Sequence, residues 1–181
     1  MSEKILNTIE EQLVNNFTGK INILNEETKQ LLGAIYLSDG ELINAKYMGG
    51  EGVKAFYNSC IDEHLGNKQV EVVVEPEIVD LRERYINTSF SALKRKMYDI
   101  IAKYKESVKH RPPDDLKLLL LTSFLTSEED VSATEFSLMC TLSDYNLVSD
   151  IYKHSPLLDY EITNSLVSLR KKKAIKVVQI K

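Results

Sequence analysis

FTGKINILNEETKQLLGAIYLSDGELINAKYMGGEGVKAFYNSC, residues 17–60, is the stretch that decides the fold. It contains three short segments in which every second residue is apolar or small. The alternating positions are Ile21 and Ile23, then Leu31, Gly33, Ile35 and Leu37, then Ile43, Ala45 and Tyr47. A period of two places one face of each segment on a core, so the stretch predicts three β-strands.

The second and third segments are joined by Asp39-Gly40. A two-residue type I′ turn needs positive φ at both central positions, and Asp-Gly tolerates this at low cost, so we expect a tight antiparallel hairpin. The glycine-rich residues 49–52 then end the third strand. Apolar residues recur at helical spacing after them, at Val53, Phe56, Tyr57, Cys60, Ile61 and His64. The change of period predicts a helix that packs back on the sheet.

Three parts of this stretch resemble the PATAN domain, a bacterial module first described at the N-termini of certain response regulators. They are Phe-Thr-Gly-Lys-Ile at 17–21, Gly-Ala-Ile-Tyr-Leu-x-Asp-Gly-Glu-Leu-Ile-x-Ala at 33–45, and Gly-x-Glu-Gly-x-x-Ala-Phe-Tyr at 49–57. The resemblance implies a non-enzymatic interaction module in bacterial signalling, polarity or motility. The partners that it implies are response-regulator receiver domains, motility or secretion ATPases, and small Ras-like GTPases.

The composition is that of a chain with a sizeable core. Of the 181 residues, 43% are hydrophobic and 28% are charged, which suits one domain or two small ones. Cys60 and Cys140 both lie in apolar helical patterns, which predicts reduced, buried, structural thiols. The N-terminal residues lack the apolar core of a signal peptide, and no apolar run approaches the ~20 residues of a membrane span. We therefore expect a soluble, cytoplasmic protein that makes no membrane contact.

Two helices and one strand are predicted around the quoted stretch. A short amphipathic helix precedes it, and a fourth strand covers residues 69–75. Residues 77–106 contain no glycine or proline and predict one long connecting helix. Apolar residues recur along it as in a heptad, at Ile86, Phe90, Leu93, Met97, Ile100 and Tyr104. Two interpretations stay open, since the stripe can pack within the chain or form the self-association seam of a homodimer.

Residues 107–115, SVKHRPPDD, predict a linker. Pro112 and Pro113 forbid a continuous helix, and Asp114 or Asp115 can cap the helix that follows. The sequence therefore predicts an α+β domain over residues 1–106 that includes the long connecting helix, a linker over 107–115, and a second domain over 116–181.

The second domain is predicted to be mostly helical and resembles a winged helix-turn-helix. The predicted helices cover 116–125, 132–139, 145–153 and 159–173, and a strand covers 174–180. Ser132 and Glu135 have the spacing of a capping box. The resemblance is carried by Leu-Val-Ser-Leu-Arg-Lys-Lys at 166–172 followed by Ala-Ile-Lys-Val-Val at 174–178, and only one wing strand is visible.

A winged helix raises the alternative of a DNA-binding transcriptional regulator. Residues 108–181 hold ten basic and ten acidic residues, whereas a duplex binder normally has a net basic face. Asp159 and Glu161 open the helix in the recognition position, where carboxylates repel phosphates. The cationic run near the end of that helix also suits its dipole without any ligand. We therefore do not expect nucleic-acid binding, for which the candidate residues are Arg170, Lys171, Lys172, Lys173 and Lys176.

No residue set predicts catalysis, a metal site or a cofactor site. His64, His110 and His154 lie far apart, and no His-Glu-x-x-His or Cys-x-x-Cys spacing is present. The glycine-rich residues 49–52 lack the lysine and hydroxyl of a P-loop, and Glu51 places a negative charge where a phosphate would sit. We interpret the chain as a non-enzymatic protein-protein interaction adaptor, with the DNA-binding regulator as the alternative.

Overall fold

The computed structural model describes residues 3–126 and 128–178. These residues have an α+β fold with a five-stranded antiparallel sheet and a separate two-stranded sheet. Contacts divide the chain into unit 1, Met1–Asp99, and unit 2, Ile100–Lys181, so the division falls inside the helix Phe90–Ser107. Within the described residues, no helix combines the length and the apolar character that crossing a membrane requires.

Unit 1 contains the predicted sheet. Its elements are α1 Lys4–Val14, β1 Gly19–Asn25, β2 Leu31–Ser38, β3 Glu41–Tyr47, β4 Gly50–Glu51, α2 Gly52–Leu65, β5 Val70–Pro76, a 3-10 helix Leu81–Glu83 and the first part of α3 Phe90–Ser107. The strand order is β4-β3-β2-β1-β5, and every neighbouring pair is antiparallel. The four predicted strands are confirmed, and the two-residue β4 is an addition too short to leave a pattern in the sequence.

The sheet has one apolar face and one polar face. Ile21 pairs with Ile35, and Ile35 with Ala45, and all three are buried. The neighbouring row, in which Lys20 pairs with Tyr36, points to the other face because successive side chains of a strand alternate. Both helices add buried side chains to the core of unit 1, namely Ile5, Leu6 and Ile9 of α1 and Phe56, Tyr57 and Ile61 of α2.

The predicted hairpin turn is confirmed. Asp39 has a φ of 48° and Gly40 a φ of 71°, and Ser38 pairs with Glu41 on either side of them. The Gly40 amide donates to the carbonyl of Phe17 at 3.2 Å. A Cβ at Gly40 would lie 2.9 Å from the carbonyl oxygen of Leu13, so this turn packs tightly against the end of α1.

A buried carboxylate holds the start of α1. Glu3 stands at the N-cap of α1 without a capping hydrogen bond from its side chain. Instead, the Lys4 amide donates to Glu63 Oε1 at 2.6 Å and the Ile5 amide donates to Glu63 Oε2 at 3.1 Å. Glu63 belongs to α2 and is buried, so α2 supplies the cap that α1 lacks and fixes the two helices together.

The predicted helix over 77–106 is wrong in its first part, because α3 begins only at Phe90. The amides of Tyr85 and Ile86 both donate to the carbonyl oxygen of Ile43 in β3, at 3.1 and 3.0 Å. Hydrogen bonds to a neighbouring strand thus replace those of a helix, and Ile86 is buried beside that strand. The absence of glycine and proline permits a helix but does not require one.

The apolar stripe of α3 is buried within the single chain. Leu93, Met97 and Ile100 are almost inaccessible to solvent. This favours intramolecular packing and contradicts the self-association seam at these side chains. A homodimer stays a prediction that would need another surface.

Unit 2 contains the rest of α3, a 3-10 helix Val108–His110, β6 Lys117–Leu120, α4 Thr122–Leu125, α5 Ala133–Asp144, α6 Val148–His154, α7 Asp159–Lys171 and β7 Ile175–Val178. The helix predicted over 116–125 is wrong in its first part, which is the strand β6, antiparallel to β7, and only its last residues are helical, as α4. Leu118 to Leu121 are all leucine, and such a run does not distinguish a strand from a helix. The last residues of the predicted strand 174–180 lie outside the described residues.

The helices α5, α6 and α7 confirm three predicted helices, with different ends. The capping box of α5 is confirmed, since Ser132 Oγ accepts from the Glu135 amide at 3.2 Å and Glu135 Oε2 accepts from the Ser132 amide at 2.7 Å. Buried residues from all three helices and both strands form the core of unit 2, including Leu118, Leu138, Ile151, Ile162, Leu169 and Ile175.

Two glycines with positive φ test how tightly the hairpin turn packs. An alanine at Gly40 would have a strained positive φ, and its Cβ would also lie close to the Leu13 carbonyl oxygen. An alanine at Gly49, with a φ of 81°, would have the same backbone strain, but no atom lies within 4 Å of its Cβ. We expect Gly49→Ala to lower the free energy of unfolding by about 1 kcal/mol and Gly40→Ala by about 2 kcal/mol or more. Urea unfolding measures both. Equal losses would show that the contact with Leu13 relaxes.

Leu93→Glu tests the packing of α3. The substitution buries an unpaired carboxylate, so we expect the free energy of unfolding to fall by several kcal/mol at every protein concentration. Lys96→Glu, on the exposed side of the same helix, should change it by about 0.5 kcal/mol or less. Thermal melts at two concentrations, with light scattering, give the answer. If Leu93→Glu melts like the wild type but dissociates an oligomer that the wild type forms, the result would support the self-association seam instead.

Candidate functional site

The predicted cationic run does not form one patch. Successive residues of a helix point about 100° apart, so Arg170, Lys171 and Lys172 face different directions. Lys172 Nζ donates to the carbonyl oxygen of Asp130 at 2.7 Å and to Glu135 Oε2 at 2.9 Å. Its charge is therefore used within unit 2 to join the end of α7 to the start of α5.

The Lys172 ion pair acts on the buried Glu135. Burial by itself raises the pKa of this carboxyl, but hydrogen bonds from the Ser132 amide, the Ser168 hydroxyl and the Lys172 ammonium outweigh it and lower the pKa to about 2. A pKa below the ordinary value of 4.5 means that the ionised form stabilises the fold. That stabilisation is present above pH 4.5 and is lost as the pH falls towards 2.

The face of α7 that is open to solvent is poorly suited to DNA. Its exposed residues are Asn164, Arg170 and Lys171, and Glu161 is partly exposed at its start, while Tyr160 is buried. The residues that a recognition helix aims at bases lie at its N-terminal end. Here that end presents Glu161, and the exposed cations Arg170 and Lys171 lie at the opposite end.

Arg111, in the predicted linker, was missed by the sequence analysis as a residue that shapes this region. Its guanidinium pairs with Asp159 at 3.1 Å and with Asp114 at 3.0 Å, and it lies 4.0 Å from the centre of the Tyr152 ring. Arg111 therefore neutralises one of the two carboxylates that open α7, and it fixes the proline-containing segment to α6 and α7. An arginine in an irregular segment carries no sequence signal for these partners.

Arg170 and Lys176 are the two predicted cations that the structure brings together. Both border a groove of about 280 Å³ between α7 and the β6–β7 ribbon, and His110 borders it too. Neither Arg170 nor Lys176 makes an ion pair with any described residue. The rest of the lining is mostly apolar and includes Leu116, Leu118, Leu166, Val167, Ile175 and Val177.

Unit 1 has a different surface on residues 77–85, which we call the 77–85 segment. Ile78 is 97% exposed, Leu81 58% and Tyr85 57%. Every charged residue of the segment has an ion-pair partner inside unit 1, and these pairs are Lys20–Glu77, Asp80–Arg82, Lys46–Glu83 and Glu41–Arg84. The segment thus presents large apolar side chains among charges that are already neutralised.

The two cysteines are free thiols that differ in burial. Cys60 is buried as predicted, and burial raises the pKa of its thiol far above the ordinary range, which disfavours the thiolate nucleophile. The prediction that Cys140 is buried is wrong, because it lies on the exposed side of α5. Within the described residues, no three His, Cys, Asp or Glu side chains gather as metal ligands would.

The predicted strand-to-helix turn at residues 49–52 holds its carboxylate in place. Glu51 Oε1 accepts from Asn44 Nδ2 at 2.9 Å and lies 3.5 Å from Lys46 Nζ. A negative charge is therefore anchored at the start of α2, where a phosphate-binding helix would present its free amides.

Comparisons with protein-family models, with curated proteins and with solved structures found no match to this chain. The chemistry of the two surfaces is therefore the basis for a function.

Two neighbouring lysines test the Glu135 pair. Lys172→Met leaves the buried carboxylate without its cation, so we expect unit 2 to lose about 1 to 3 kcal/mol at neutral pH, and we expect less loss as Glu135 becomes protonated in acid. Lys171→Met removes an exposed lysine and should cost less than about 0.5 kcal/mol. Urea unfolding at pH 7 and at pH 3 compares them. A loss for Lys172→Met that is the same at both pH values would argue against the ion pair.

Proposed function

We propose that this chain is a non-enzymatic adaptor that binds a partner protein through unit 1. The observation that carries the proposal is the 77–85 segment, where Ile78 is 97% exposed. Exposed apolar side chains grouped on one segment are typical of protein interaction sites, because their burial against a partner is favourable. The charges of the segment are already paired within the chain. Association there therefore avoids the large free-energy penalty of desolvating unpaired ions.

The backbone of the segment supports the same proposal. The Tyr85 and Ile86 amides are bound to Ile43, and the Asp80 side chain accepts from the Arg82 amide at 2.9 Å. A segment held in place before binding loses little conformational freedom on association, which favours affinity.

The resemblance of residues 17–57 to the PATAN domain supports a place for the adaptor in bacterial signal transduction, polarity or motility. It suggests as partners a response-regulator receiver domain, a motility or secretion ATPase, or a small Ras-like GTPase. These partners and a cytoplasmic location are parts of the proposal.

The DNA-binding regulator is the second candidate, because Arg170, Lys171, Lys173 and Lys176 remain unpaired among the described residues. The equal number of acidic and basic residues over 108–181 and the position of Glu161 weigh against it. Few phosphates could be neutralised by cations that point in different directions. We therefore favour the adaptor.

A charge on the 77–85 segment should abolish partner binding. We expect the double variant Ile78→Asp with Leu81→Asp to recover at least ten times less of a partner than the wild type, since carboxylates would have to be desolvated at the contact. The measurement is capture from a lysate of the source organism with quantitative mass spectrometry, followed by calorimetry with the purified partner.

Val14→Asp is the control, because Val14 is an apolar residue that is 83% exposed on α1, so the variant places a carboxylate on unit 1 outside the 77–85 segment. It should recover the partner like the wild type, and all variants should melt like the wild type. Equal recovery by the double variant and the wild type would refute binding through this segment.

A further inference from the structure

We propose that the groove between α7 and the β6–β7 ribbon binds an acidic, extended or helical segment of a second protein that inserts one or two apolar side chains. This inference concerns unit 2 and does not rest on the 77–85 segment of unit 1.

The floor of the groove is apolar and already ordered. Leu118, Leu166 and Ile175 are buried members of the core of unit 2, and Val167 and Val177 extend the apolar surface towards solvent. A floor of this kind favours an aliphatic or aromatic side chain, because the hydrophobic contribution grows with the apolar area that is covered.

The rim of the groove is cationic. Arg170 and Lys176 border it, and no aspartate or glutamate is among the described residues that line it. Elsewhere in unit 2 the cations Arg111 and Lys172 are paired with carboxylates, whereas Arg170 and Lys176 have no such partner among the described residues. Carboxylates of a partner would complete these two pairs, and the guanidinium of Arg170 suits a carboxylate especially well.

The size of the groove favours a side chain over a whole small ligand. Its volume of about 280 Å³ is at the lower end for small-molecule sites, which have roughly 300 to 1,000 Å³. The apolar floor offers nothing to a phosphate backbone, and two cations neutralise few phosphates. An acidic peptide with apolar anchors matches both the floor and the rim.

The test is a selection of peptides from a random dodecamer display library on the full-length chain. We expect the enriched peptides to combine several Asp or Glu residues with at least one Leu, Ile, Met or Phe. An enriched peptide, made synthetically and labelled with fluorescein, is then titrated by anisotropy against the wild type and the variants.

Two matched double variants distinguish binding in the groove from a general electrostatic attraction between the protein and the acidic peptide. Arg170→Glu with Lys176→Glu reverses the charge of the rim and should weaken the peptide at least tenfold. Lys171→Glu with Lys173→Glu makes the same change of net charge on exposed residues that do not line the groove and should change the affinity less than threefold. Val167→Trp fills the groove without a change of charge and should also weaken binding at least tenfold. Circular dichroism melts identify any variant that has lost its fold, and the remaining variants still decide the question.

Several outcomes would overturn the proposal. They are a selection with no enrichment, enriched peptides without acidic residues or without apolar residues, equal losses in the two charge-reversal variants, and wild-type affinity in Val167→Trp. A random 20-base-pair duplex is titrated in parallel. Submicromolar duplex binding that is lost with Arg170→Glu and Lys176→Glu would assign the groove to nucleic acid instead.

Discussion

The buried carboxylate of Glu63 is the constraint on which unit 1 depends. The first amides of a helix need acceptors, and α1 has no capping side chain of its own, so its start must be placed against Glu63 of α2. Burying a carboxylate costs desolvation free energy unless hydrogen bonds or opposite charges offset it. Here the two amides and the dipole of α1 offset it. Because of this, α1 cannot shift along the sheet without exposing or orphaning Glu63. The end of α1 in turn packs against the hairpin turn at Gly40, and its Glu10 pairs with Lys94 of α3.

The elements that the sequence predicted correctly are those whose cause is local. The hairpin at Asp39-Gly40 depends on the φ preferences of two residues, and the capping box depends on Ser132 and Glu135 three positions apart. The elements that it predicted wrongly depend on partners far along the chain. Residues 77–89 do not form an α-helix, since the carbonyl of Ile43 accepts two of their amides, and β6 is a strand because β7 lies beside it. Neither partner can be read from the local pattern, and the Glu63 cap is hidden for the same reason.

The candidate sites divide in the same way. In the sequence, Arg170 to Lys173 and Lys176 form a basic cluster. In the structure, their side chains do not all point the same way. Because successive residues of a helix point in different directions, Lys172 pairs with Glu135, while Arg170 and Lys176 both border the groove. Since the partner of each cation is set by tertiary packing, a run of like charges in a sequence does not predict a patch of like charges on a surface. Arg111 gives the opposite case, because an isolated arginine becomes the centre of a contact with two carboxylates and a ring.

The two surfaces differ in how their electrostatics are arranged, and this difference has a consequence for binding. On the 77–85 segment the charges pair within the chain, so association there would rest on apolar burial and should respond weakly to ionic strength. At the groove the two cations are unpaired among the described residues, so association there would gain from long-range attraction that salt screens. An adaptor with one contact of each kind could keep its apolar contact while the ionic contact forms and breaks. The sensitivity to salt therefore distinguishes which surface a captured partner occupies, even before any residue is substituted.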